Sequence, residues 1–301
     1  MIHFEKFTLE NGLRVIVHKD ATTPMVAVNL LYNVGSKHED PNRTGFAHLF
    51  EHFMFGGSAN IPLYDDPVER ASGENNAFTS NDITNYYLTL PKANMETAFW
   101  LESDRMLSLA FSQKSLDVQK NVVVEEFNQR YLNQPYGDVW LLLRPLAYKV
   151  HPYQWPTIGK EPKHITEASL DDVKEFFYNH YAPNNAILCV AGDVETKEVE
   201  KLAQKWFGPI PQRAIKSTEI PKEPEQTEPR KLEVSRDVPY NSIYIAYHMC
   251  DKLHPDYPAT DLISDILSNG KSARLFQNLV KKQNLFSNID AFVSGDNDEG
   301  L

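Results

Sequence analysis

Cysteine is scarce in this chain: Cys189 and Cys250 are the only two among 301 residues. Both stand in apolar, strand-like surroundings and read as buried thiols, and neither has a second cysteine nearby with which to hold a metal. A disulfide framework is therefore excluded, and a reducing compartment is compatible with the composition. Long hydrophobic runs are also lacking. None approaches the ~18 residues that span a bilayer, so no membrane span is expected. The N-terminus, MIHFEKFTLENGL, has no basic stretch leading into an apolar core, so it does not read as a signal peptide. The cytoplasm is the expected location, with the periplasm or an organelle left open should a leader have been removed. Basic charge is in deficit, with 30 Lys and Arg against 41 Asp and Glu and a net charge of −11. That balance excludes a nucleic-acid partner, which needs clustered cations. The acidic excess would favour basic substrates at long range, though solubility accounts for it equally well.

What is present is a folded composition, 42% hydrophobic and 24% charged, long enough for two domains with sizeable cores. Arg14–His18 and Val26–Tyr32 read as strands on either side of a Thr-Pro break. A polar loop then leads to Thr44, expected as the N-cap of a helix that stops at Gly56-Gly57. Residues 83–90 (ITNYYLTL) are β-branched or aromatic and form a further strand. Helices follow over Lys92–Phe111 and roughly Ser115–Leu132, then Asp171–His180, a buried strand Ala186–Ala191, and a helix Thr196–Phe207.

Residues 211–230 (PQRAIKSTEIPKEPEQTEPR) carry four prolines and many charges without apolar periodicity, the pattern of a linker. The chain thus divides into a domain over 1–210, the linker, and a second segment over 231–301. After the linker the order of strand, polar loop, helix and glycine stop recurs. Ile243–Tyr247 (IYIAY) stands where Val28–Tyr32 (VNLLY) stood. In this weak repeat Asp261, Ser264 and Asp265 fall on the positions of His48, Glu51 and His52. The second unit keeps the pattern, lacks those residues and is expected to be cut short.

Chemistry concentrates in HLFEH at 48–52. His48 and His52 are four apart on a helix, so they share a face with Cβ atoms ~5–6 Å apart, a spacing that suits one zinc ion. Glu51, one position before the second His, can reach the open side of the metal without being a ligand, as the base for a zinc-bound water attacking a peptide carbonyl. A third ligand is needed, and the VVVEEF stretch offers Glu125 and Glu126. Val122, Val123 and Phe127 mark a buried side on which Glu126 falls, so periodicity prefers Glu126 over Glu125. The remaining eight histidines have no ligand spacing among themselves and read as surface or loop residues. Tyr86 and Tyr87 read as strand residues.

These residues resemble the pitrilysin/insulinase family, which includes the mitochondrial processing peptidases. HLFEHFMFGG is similar to its zinc helix, NAFTSNDITNYY (76–87) to the strand beside the zinc, and VVVEEF to the helix bearing the third ligand, with Glu126 at the ligand position 74 residues after His52. HPYQWPTIG (151–159) and YAPNNAILCVAGD (181–193) resemble further landmarks. The resemblance implies an α+β fold of two homologous domains, each an antiparallel sheet packed with helices, the second metal-free. It also implies one zinc per chain and endopeptidase activity on peptides or unstructured segments. Substrate would pair with the edge strand Asn76, Ala77, Phe78 and Thr79 by main-chain hydrogen bonds, Asn76 holding the substrate backbone; Asn76 as a plain strand-entry residue stays open.

The chain departs from the family pattern in two respects. The family often has a glutamate seven residues before the third ligand; Gln119 stands there and would give a second-shell amide instead. Active members often carry an Arg and a Tyr seven apart in the second domain; Val280 and Ser287 align with them. A homo- or heterodimer is expected; a paralogous partner subunit that supplies that pair is one explanation of the departure, weak activity alone another. A non-catalytic or weakly catalytic peptide-binding or scaffold subunit of a heteromeric assembly is the alternative function.

Overall fold

The computed structural model describes residues 2–301. It contains strands β1 (Glu5–Thr8), β2 (Arg14–Lys19), β3 (Met25–Tyr32), β4 (Glu74–Thr79), β5 (Thr84–Pro91) and β6 (Ala186–Gly192). The helices are α1 (Phe46–Phe53), α2 (Asp65–Arg70), α3 (Met95–Leu107), α4 (Gln113–Phe127), α5 (Val139–Ala147), α6 (Pro162–Thr166), α7 (Leu170–His180), α8 (Thr196–Trp206) and α9 (Tyr257–Ser268). A π-helical turn, Asn128–Leu132, prolongs α4. No helix among the described residues is long and apolar enough to cross a membrane.

All six strands form one sheet in the order β1-β2-β6-β3-β5-β4. Strand β3 alternates strictly between buried and half-buried positions, as expected where one face carries the core. Val26, Val28, Leu30 and Tyr32 of β3, Tyr86 and Leu88 of β5, and Leu188 and Val190 of β6 are buried on that face with Leu49, Phe50, Phe99 and Phe177 from the helices. The sheet is α+β in character, as expected, and antiparallel throughout except for one pair. Strand β6 inserts between β2 and β3 and runs parallel to β2, with Val15 opposite Leu188.

The chain forms two compact units, one ending at Pro239 and one over Tyr240–Leu301. Residues 211–230 are not a free spacer. Arg213 donates to the carbonyls of Tyr181, Met106 and Leu107 and stacks on Phe177 and Tyr178. The buried Glu223 carboxylate accepts from the backbone N–H groups of Lys149, Val150 and His151. Proline and charge removed the periodicity of this segment, yet three charged side chains, Arg230 being the third, bind it to the first unit.

In the second unit, α9 and a π-helical segment, Phe276–Lys282, form as helix. The expected strand Ile243–Tyr247 does not: its residues are largely exposed and enter no ladder, and the unit's one bridge joins Met249 to Gly300. A β-prone stretch needs a neighbour to take its backbone hydrogen bonds, and none is supplied among the described residues. The two cysteines are free and half-buried, so the expectation of buried thiols holds only in part. Of the histidines expected at the surface or in loops, His151 lies in a loop but is buried, and His180 is buried at the end of α7.

Candidate metal centre

Helix α1 begins on Gly45, whose left-handed φ of 93° leaves no room for a side chain, since a Cβ there would lie 2.6 Å from the Ile158 carbonyl oxygen. Thr44 is not the N-cap. Its hydroxyl instead accepts from the Lys160 N–H at 2.8 Å and lies 2.8 Å from His164 Nδ1. The orphan donors of the first turn are met from a distance, by the buried carboxylate of Glu39, which accepts from Gly45 N–H at 2.9 Å and Ala47 N–H at 2.8 Å. Burial pushes this carboxyl up to about 8, the two backbone donors pulling the other way. Sequence reading missed Glu39, because a cap contributed from outside the local turn has no spacing signature.

Further along α1, His48 and His52 project side by side, ring centroids 4.8 Å apart and planes nearly perpendicular at 88°. Glu126, near the end of α4, brings its Oε2 to 3.4 Å from Nε2 of both His48 and His52. The three ligand atoms lie within 4.8 Å of one another, the one such group of potential metal ligands among the described residues. This donor set fits zinc. Bonds of about 2.0–2.1 Å in a tetrahedron place neighbouring ligand atoms about 3.3–3.4 Å apart, and that spacing is long for a direct hydrogen bond. Burial, above all, pulls the His48 imidazole down to about 4, with Glu126 opposing and His52 and Arg130 assisting. His48 is thus a neutral imidazole at pH 7, as a ligand must be. Glu126 is held below the ordinary carboxylate value, first by its contact with His52, against partial burial.

The preference for Glu126 over Glu125 stands in the geometry, since Glu125 is exposed and Glu126 half-buried. One part of the argument for it does not: Val123 and Phe127 are buried, but Val122 is 42% exposed. Glu51 is half-buried and makes no hydrogen bond or ion pair among the described residues. Its charge is felt by the buried hydroxyls of Tyr86 and Tyr181, which burial already pushes up. Tyr86 donates to the Phe50 carbonyl of α1 at 3.2 Å. Arg105 lies over its ring, 4.3 Å from the centroid.

Strand β4 is the sheet edge and carries Asn76, Ala77, Phe78 and Thr79. Asn76 Oδ1 accepts from the N–H of its neighbour Ala77 at 2.8 Å. That donor therefore faces away from β5, on the open side of the strand. Gln119 is half-buried on α4 and lies beside Gly56, after the end of α1, its Nε2 3.7 Å from where a Cβ would stand. It has no hydrogen bond to His48, His52 or Glu126 among the described residues.

Comparison with known proteins identifies the family. Residues 14–158 match the family described as insulinase, peptidase family M16, and residues 167–301 match the peptidase M16 inactive domain. The second match begins inside the first compact unit and includes β6, so the physical unit draws on both segments. The chain is 35% identical over 289 residues to the zinc protease PqqE of Helicobacter pylori, covering 94% of this chain and 65% of that protein. It is 25% identical over 299 residues to the uncharacterized zinc protease YmxG of Bacillus subtilis, covering 99% and 72% respectively. A crystal structure of a Helicobacter pylori protease superposes with a TM-score of 0.88 at 32% identity, over 100% of this chain and 73% of that one. A peptidase M16 inactive domain from Pseudomonas fluorescens superposes at TM-score 0.82, over 99% of this chain and 73% of that one, with 22% identity, which speaks for the fold alone. The chain belongs to peptidase family M16, the insulinase family.

Proposed function

We propose that this chain is the catalytic part of a zinc-dependent endopeptidase acting on peptides or unstructured polypeptide segments. One observation carries the reading: a carboxylate oxygen stands 3.4 Å from each of two imidazole nitrogens, the three atoms within 4.8 Å of one another, with Glu51 unpaired on the same helix. A zinc ion held by His48, His52 and Glu126 would supply Lewis acidity, lowering the pKa of water to about 7 and polarising a carbonyl. Glu51 receives the proton of the attacking water and passes it to the leaving amine. The open edge of β4 takes an extended substrate as an added strand, which selects for unfolded segments because a folded protein does not present a free strand there.

The alternative reading is a weakly catalytic or non-catalytic peptide-binding subunit of a heteromeric assembly. Val280 and Ser287, at the positions where active relatives often carry Arg and Tyr, favour it. A paralogous partner that supplies the pair reconciles the two readings.

The test is zinc content beside cleavage of a disordered polypeptide, for the parent chain, Glu51→Gln and Glu126→Gln. The parent binds about one zinc and cleaves. Glu51→Gln keeps zinc and loses roughly 10²–10⁴ in rate, while Glu126→Gln loses zinc. A parent that holds zinc yet cleaves no faster than Glu51→Gln supports the binding-subunit reading. A parent that holds no zinc overturns the endopeptidase reading and leaves the non-catalytic subunit.

A further inference from the structure

Glu126 has two carboxylate oxygens, and the metal reading uses one. Oε2 faces both imidazoles, while Oε1 forms an ion pair with Nη1 of Arg130, 3.2 Å away and one helical turn on. The Arg130 guanidinium makes no hydrogen bond and no other ion pair among the described residues, and its side chain is 60% exposed. Its backbone, by contrast, is well fixed. It lies in the π-helical turn Asn128–Leu132, closed by Asn133 N–H on the Asn128 carbonyl at 2.8 Å. The Gln134 side chain donates to the Arg130 carbonyl oxygen. Gly137 packs so closely that a Cβ there would lie 2.7 Å from the same oxygen. Such π turns recur at functional sites, where they set the direction of a side chain.

We infer that Arg130 is a positioning residue for the metal centre: by holding Glu126 Oε1 it presents Oε2 alone to the ion bound by His48 and His52. The inference rests on the zinc reading above. It assigns to a residue four positions after the ligand the task that Gln119, seven before it, does not perform. Two effects of opposite sign compete. The guanidinium and the ion repel, but through solvent, because Arg130 is largely exposed. The ion pair with Oε1 acts by direct contact at 3.2 Å. Contact prevails, as outer partners of metal ligands generally strengthen binding by about 10–100-fold. The ion pair itself is exposed and within one helix, so it contributes little to folding.

Zinc affinity of the full chain, measured by competition with a chromophoric chelator, tests this for the parent, Arg130→Lys and Arg130→Gln, with metal-free unfolding followed in parallel. Arg130→Gln weakens zinc binding about tenfold, Arg130→Lys less because it keeps the charge without the planar fork. The metal-free unfolding midpoint stays unchanged in both. Arg130→Gln binding zinc as tightly as the parent overturns the inference and leaves the zinc reading intact. A loss of affinity matched by a loss of metal-free stability also overturns it, in favour of a merely structural role. A parent that binds no zinc overturns both.

Discussion

The Tyr86 hydroxyl donates to the carbonyl oxygen of Phe50 at 3.2 Å, tying β5, the strand next to the sheet edge, to the helix that carries HLFEH. The donor comes from β5 and the acceptor lies between the two histidines of α1, so this one bond links the rigid sheet to the metal-binding face. The same carbonyl also accepts from Met54 N–H within the helix at 3.0 Å. Removing the hydroxyl therefore leaves no orphan acceptor. Tyr86→Phe is expected to cost about 1 kcal/mol in denaturant unfolding, with the zinc content unchanged. A loss above about 3 kcal/mol would mean that the hydroxyl does more than bridge these two elements.

Arg105 is buried between Tyr64 and Tyr86, its guanidinium carbon 4.5 and 4.3 Å from their ring centroids, and is paired with the equally buried Glu102 through Nε at 2.8 Å and a second short bond. Arg105→Met leaves a buried carboxylate with Tyr64 as its remaining partner. The expected destabilisation is about 3–5 kcal/mol. The double change Arg105→Met with Glu102→Leu should cost clearly less than the sum of the singles, as a double-mutant cycle of unfolding free energies would show.

His180, at the end of α7, is buried against Phe176 with ring centroids 4.6 Å apart. Burial first, then the nearby His38 and Lys216, pulls its imidazole down from 6.5 to about 4. The folded protein therefore binds fewer protons here than the unfolded chain does. The associated stability is complete above pH 6.5 and is lost as the pH falls toward 4. On the order of 3 kcal/mol is at stake. His180→Phe, of similar shape, should flatten that part of the stability profile measured by urea unfolding between these pH values. An unaltered slope would show that other groups govern it.

Asn76 Oδ1 holds the outward N–H of Ala77 on the sheet edge. The bond is exposed and local, so Asn76→Ala should change stability by no more than about 0.5 kcal/mol. If the edge receives substrate, the same change alters KM for a disordered substrate while zinc content stays constant. Unchanged kinetics would reduce Asn76 to a strand residue.

Much of the candidate site was legible because its logic is local. The four-residue spacing of His48 and His52, the placement of Glu51 and the helical period of VVVEEF all follow from 3.6 residues per turn. Where that local logic was stretched it failed. Thr44 has the chemistry of an N-cap, but the chain at Gly45 turns into the left-handed region and hands the donors to Glu39. Val122 has the apolarity of a core residue, but the buried face of α4 is narrower than the run of valines suggests. Arg130 was within reach as an i, i+4 partner of Glu126. Such pairs are common on solvated helix faces, and only the position of Oε2 makes this one distinctive.

The sequence by itself determined the main elements that carry the site and the chemical types that meet there: strands by alternation, helices by period, two imidazoles by spacing and a carboxylate by helical period. The tertiary structure decided how distant parts come together. It inserted β6 between β2 and β3, the residues of β2 and β6 pairing in parallel across more than half the chain. It also brought Glu39 to the start of α1, Tyr86 to its centre and Glu126 to its two histidines. The physical reason is that local backbone preferences repeat every two or 3.6 residues and leave a periodic trace. Contacts between distant segments follow from burying one shared apolar face and satisfying every buried polar group at once, which no spacing along the chain records.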